Sequence, residues 1–74
     1  MYKRLRDLRE DKDLKQKDIA DFLNISPRGY SHYETGNYDI PTEILIRLAD
    51  FYDTSVDYLL GRTNNKRKKE KQRN

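Results

Sequence analysis

The stretch Asn24-Ile25-Ser26-Pro27 constrains this chain more than any other part of it. Ser26 is a strong helix N-cap, because its hydroxyl can accept a backbone N–H from the following turn. Pro27 then falls at the first helical position, where its missing N–H costs nothing and its fixed φ suits the helix. Ile25 and Tyr30 bracket the cap as a hydrophobic staple. A helix is therefore expected from Pro27 to about Thr35, where Gly36 can take the left-handed conformation that ends it. Upstream, Ile19, Ala20 and Leu23 recur at helical spacing in a segment beginning at Gln16, with Phe22 beside them. Only Asn24 and its two successors separate the two helices, and a linker that short makes them cross sharply.

The rest of the chain supplies more short helices. Leu5 and Leu8, with Tyr2, share one face of residues 3–12, while Lys3, Arg4, Arg6, Asp7, Glu10 and Asp11 lie elsewhere. Asp13 and Leu14 break that pattern, and Leu14 and Ile19 form a staple around Lys15, which is a poor N-cap. After an Asn37-Tyr38-Asp39 loop, Pro41 and Thr42 open a fourth helix with Ile44, Leu45, Leu48, Ala49 and Tyr52 inward. Asp53-Thr54 interrupts it, Ser55 caps a fifth helix from Val56 to Leu60, and Gly61 ends that one. The expected fold is an all-α, compact five-helix domain over residues 1–61 with a helix-turn-helix at its centre. A chain of 74 residues has room for one such core and no second.

Charge divides the chain at the same place. From Arg62 onward seven basic residues (Arg62, Lys66, Arg67, Lys68, Lys69, Lys71, Arg73) face one acid, Glu70, and no apolar residue is present. Residues 1–61 hold nine basic and twelve acidic residues. The expectation is a slightly acidic body and a basic tail, 62–74, either disordered or a helical extension, that attracts phosphates or merely solubilises the end. With no Cys and a single His there is no thiolate zinc site, disulfide framework or His cluster, so no metal and no cofactor are expected. No glycine-rich phosphate loop or nucleophile–base set is present, which argues against an enzyme. Apolar runs stop at three residues, as in Ile44-Leu45-Ile46, and the opening Met-Tyr-Lys-Arg-Leu-Arg-Asp lacks the core of a secretory signal. The expected setting is the cytoplasm, with no membrane partner.

On the third helix Tyr30 and Tyr33 are expected to face the core, which turns Arg28, Gly29, Ser31 and His32 outward with Pro27 at the leading end. A helix enters the major groove of DNA when its outer face carries polar side chains that reach base edges. Arg28 is the strongest such candidate, since a guanidinium can donate twice to guanine O6 and N7. His32 lies one turn on, and Gly29 leaves space for a base or a thymine methyl.

The run Leu14-Lys15-Gln16, Ile19-Ala20, Leu23-Asn24-Ile25-Ser26, Tyr30-Ser31, Tyr33-Glu34 and Gly36 resembles the phage-repressor and Cro-like (XRE-type) helix-turn-helix family of bacterial regulators. Ser55-Val56-Asp57-Tyr58-Leu59-Leu60-Gly61 is similar to that family's closing helix, so the resemblance spans about residues 3–61 and implies a lambda-repressor-like domain. It further implies roles. Pro27, Arg28, Gly29, Ser31 and His32 would read bases, with Pro27 a blank position for lack of a polar side chain. Gln16 would grip a phosphate at a helix N-terminus, with Lys15, Lys17 and Ser26 beside it. Asn37 and Tyr38 would contact the backbone of the next phosphates, and Arg9 with Glu34 would form a structural brace. Lys15 and Gly29 depart from the family pattern, since Ser or Thr is usual at the first of these.

The function implied is a sequence-specific, DNA-binding transcriptional regulator, a repressor, reading the major groove of double-stranded DNA with helix 27–35 as a homodimer on a near-palindromic operator. Val56, Leu59 and Leu60 are candidates for a dimer surface or for ordinary core. The alternative is a protein-interaction helix-turn-helix module whose tail binds nucleic acid non-specifically.

Overall fold

The computed structural model describes residues 2–66, leaving Met1 and residues 67–74, with most of the expected basic tail, outside the described part. Among the described residues there are five α-helices and no strand: α1 Lys3–Asp11, α2 Gln16–Leu23, α3 Pro27–Thr35, α4 Thr42–Phe51 and α5 Val56–Leu59. The expected all-α architecture is the one found. The fifth helix stops one residue short of its expected end, with Leu60 as its C-cap and Gly61 at φ 77° behind it.

The helix ends follow from local chemistry. Ser26 Oγ accepts the Gly29 N–H at 3.0 Å, and Ser55 Oγ accepts the Tyr58 N–H at 3.0 Å. Lys15 has no acceptor in its side chain, so its helix is started from the other direction. The Asp18 carboxylate accepts the Lys15 backbone N–H at 2.8 Å, the reciprocal half of a capping box. Gly36 ends α3 at φ 86°. The other turns use short polar residues that tolerate the left-handed region through local hydrogen bonding: Asp13 after α1, Asn24 after α2 and Asp53 after α4, at φ 57°, 61° and 54°.

These turns fold the apolar faces onto one core. Leu5 and Leu8 of α1, Ile19, Ala20 and Leu23 of α2, and Tyr30 of α3 meet Leu45, Leu48 and Ala49 of α4, closed by Ile40, Tyr52 and Leu59. Leu59, a candidate for a dimer surface or for ordinary core, is core at 1% exposure. Val56 is half-buried and Leu60 is exposed. Tyr33, expected inside, sits half-buried at the core's edge, as does Ile44.

Two arginines join elements distant in sequence. Arg47 of α4 donates to the Phe22 and Leu23 carbonyls at 3.0 and 3.5 Å, satisfying the open C-terminus of α2, and lies over the Phe22 ring. Arg4 of α1 stacks on Tyr58 at 4.1 Å and donates to the Tyr58 and Thr63 carbonyls and to Asn64 Oδ1. Thr54 Oγ1 donates to the Lys66 carbonyl, and Lys66 Nζ lies 3.6 Å from Asp11. Residues 63–66 therefore run along α1 as irregular chain.

Candidate nucleic-acid interface

The helix-turn-helix is held by a charged node under α3. Glu34 is 4% exposed, and its carboxylate accepts from Arg9 Nε at 2.8 Å and Arg9 Nη2 at 3.1 Å, a two-pronged pair. Tyr30 Oη donates to the same carboxylate at 2.8 Å and Gln16 Nε2 at 3.1 Å. Arg9 Nη1 also donates to the Leu14 carbonyl, and the Glu34 carbonyl accepts the Tyr2 N–H. One carboxylate thus ties α1, α2 and α3 together. Burial pushes the Glu34 carboxyl up, but the hydrogen bonds from Arg9, Gln16 and Tyr30 outweigh it and hold the group below its ordinary value. The hydrogen bond to Glu34 raises Arg9, and burial together with the Glu34 charge raises the Tyr30 phenol.

With Tyr30 and Glu34 turned inward, the opposite face of α3 is fixed by the helical period. Pro27 and Arg28 are exposed, Ser31, His32 and Gly29 are half-buried, and Thr35 is exposed. Arg28, His32 and Thr35 follow one another at four and three residues, so they share a stripe. Thr35 is absent from the sequence-level candidates, although that spacing was the signal for it. Its hydroxyl donates back to the Ser31 and His32 carbonyls at 3.1 and 3.3 Å. Ser26, at the leading end, is exposed, with its hydroxyl oxygen engaged by the Gly29 N–H. A Cβ at Gly29 would stand 3.2 Å from that oxygen, so the small residue there eases the cap as well as the outer surface.

The remaining candidates gather toward the C-terminal end of this stripe. The Gln16–Glu34 bond sets the N-terminus of α2 beside the C-terminal turn of α3, so exposed Lys15 and Lys17 flank it. The Gln16 amide donor is turned to Glu34, and Lys17 pairs loosely with Asp21 at 3.6 Å. Beyond Gly36, Asn37 and Tyr38 fold back on His32. Asn37 Nδ2 lies 3.2 Å from His32 Nδ1, and the Tyr38 ring packs at 4.5 Å from the imidazole and edge-on to Tyr33 at 6.4 Å. Arg6 was not singled out in the sequence. It lines a shallow open depression with Arg9, Gln16 and Thr35, paired there with Glu10 at 3.2 Å. No helix of the described residues is long and apolar enough to cross a membrane.

A helix-turn-helix family model matches residues 5–59. The chain is 38% identical over 68 residues to the HTH-type transcriptional regulator ImmR of Bacillus subtilis, covering 92% of this chain and 54% of that protein. It is 41% identical over 63 residues to the HTH-type transcriptional regulator AnsR of Bacillus subtilis, covering 85% of this chain and 54% of AnsR. The cryptic phage CTXphi transcriptional repressor RstR of Vibrio cholerae is 32% identical over 58 residues, covering 78% of this chain and 52% of RstR. The chain thus spans about half the length of the curated relatives it matches. No solved structure matches it.

Proposed function

We propose, from the premise that this chain belongs to the helix-turn-helix family, that it is a DNA-binding transcriptional regulator whose α3 reads base edges in the major groove. The observation that carries this reading is the two-sidedness of α3. Tyr30 and Glu34 are consumed inside, and Arg28 and His32 are left on the face away from the core. Arg28 is the principal reader, with His32, Ser31 and Thr35 along the same face and Pro27 and Gly29 setting how closely it approaches. Lys15, Gln16 and Lys17 at the start of α2, with Ser26 and Tyr38, take the flanking phosphates, where the N-terminal dipole of α2 adds to the attraction. The basic residues of 62–74 add sequence-independent attraction through counterion release. Two copies acting as a repressor would set their α3 helices about 34 Å apart on a near-palindromic operator.

Selection of bound sequences from a random duplex pool tests this directly. An enriched, near-palindromic sequence is expected, and Arg28→Ala should relax preference at one or two positions while retaining non-specific binding. Equal binding to selected and scrambled duplexes would instead favour a protein-interaction module with loose nucleic-acid attraction. Sedimentation of the protein with and without the selected duplex tests the dimer.

A further inference from the structure

His32 is the single histidine of the chain, and the two residues after Gly36 meet its ring, one at the Nδ1 edge and one at a face. The left-handed turn at Gly36, φ 86°, brings the Asn37 and Tyr38 N–H groups onto the His32 carbonyl, at 2.9 and 3.2 Å. Their side chains then meet the imidazole of the same residue. Asn37 Nδ2 stands 3.2 Å from Nδ1, and the Tyr38 ring lies against the imidazole face at an interplanar angle of 35°.

We propose that Asn37 is a positioning residue that holds His32 as the Nε2–H tautomer, so that His32 reads a hydrogen-bond acceptor on a base edge. This rests on the reading that α3 enters the major groove. An amide NH2 group only donates, so Nδ1 must offer its lone pair to Asn37, and a neutral imidazole then carries its proton on Nε2. Tyr38 restricts rotation of the ring, which keeps that donor aimed. A donor matches guanine N7 or O6, adenine N7 and thymine O4, and it mismatches the amino groups of cytosine and adenine. Asn37 therefore acts on DNA through His32, in place of gripping a phosphate itself.

The chain's one imidazole makes the test clean. Long-range proton–nitrogen spectra of the free protein, at a pH where the ring is neutral, should show Nε2 protonated and Nδ1 bare. Asn37→Asp, whose carboxylate only accepts, should move the proton to Nδ1. A protonated Nδ1 in the unaltered chain, or no change on Asn37→Asp, overturns the tautomer assignment. On the duplex that the unaltered protein selects, Asn37→Ala should weaken binding about tenfold, and it should cost nothing further in a His32→Ala background. Additive losses, equal on selected and scrambled duplexes, would mean that Asn37 touches a phosphate directly and would overturn the proposal. If His32→Ala left discrimination intact, the base-reading half would fall with the α3 reading of His32, while the spectra would still report the tautomer independently.

Discussion

At the scale of single residues, the buried Glu34 carboxylate joins α1, α2 and α3. Removing Arg9 strands a buried negative charge, and breaking a buried pair from one side costs about 3–5 kcal/mol. Arg9→Ala should therefore remove a large share of the stability of a domain this small, as read by denaturant titration. Glu34 also gives a pH dependence of known sign. Its folded carboxyl lies below the ordinary value, so the stability it contributes is present above the unfolded glutamate pKa of about 4.3. That contribution is lost as pH falls through the lower folded value. Glu34→Gln should flatten the acid limb of stability against pH. Tyr52 behaves in the opposite way. Its hydroxyl is buried, has no hydrogen-bond partner among the described residues, and is raised by burial first and by the Glu34 charge second. An orphaned hydroxyl costs stability, so Tyr52→Phe should leave the melting temperature unchanged or raise it. A clear loss of stability would show that the hydroxyl is satisfied after all.

At the scale of elements, α2 shows a conflict between folding and function at one position. Lys15 supplies no side-chain cap, and the Asp18 carboxylate takes up the Lys15 N–H. Asp18→Ala should cost about 1 kcal/mol in chemical denaturation. Lys15→Ser should gain a similar amount, on the order of 1 kcal/mol, and at the same time reduce the salt dependence of DNA binding by about one phosphate's worth. Opposite signs in the two measurements would explain a lysine at a position where a hydroxyl caps better. The ends of α3 were legible in residue order, because Ser26-Pro27 and Gly36 act through their own backbones. The start of α2 at Gln16 was legible in the apolar spacing too, but the group that caps it was not, because that acceptor comes from a residue one turn inside the helix.

At the scale of the whole molecule, Arg4 decides where the body stops. It fastens Thr63 and Asn64 to α1, so chain expected as tail lies along the domain as far as Lys66. Arg4→Ala should expose this segment, with faster trypsin cleavage after Arg62 and faster amide exchange at 63–66, and little change in the melting of α2 and α3. Removal of residues 67–74 should weaken binding to every duplex alike and lower the slope of log affinity against log salt, leaving the selected sequence unchanged.

Residue order alone determined the five helices and the short crossing between α2 and α3, because caps, proline placement and apolar spacing are local signals. It also placed Arg28 and His32 outward, since the helical period follows from Tyr30. Only tertiary structure decided that Glu34 also collects Tyr30 and Gln16, that Leu59 is core, that Arg47 caps α2, and that Arg4 binds the chain's far end. Each of these joins groups far apart in sequence or on different faces, and such pairings emerge only when several helices pack around a common core.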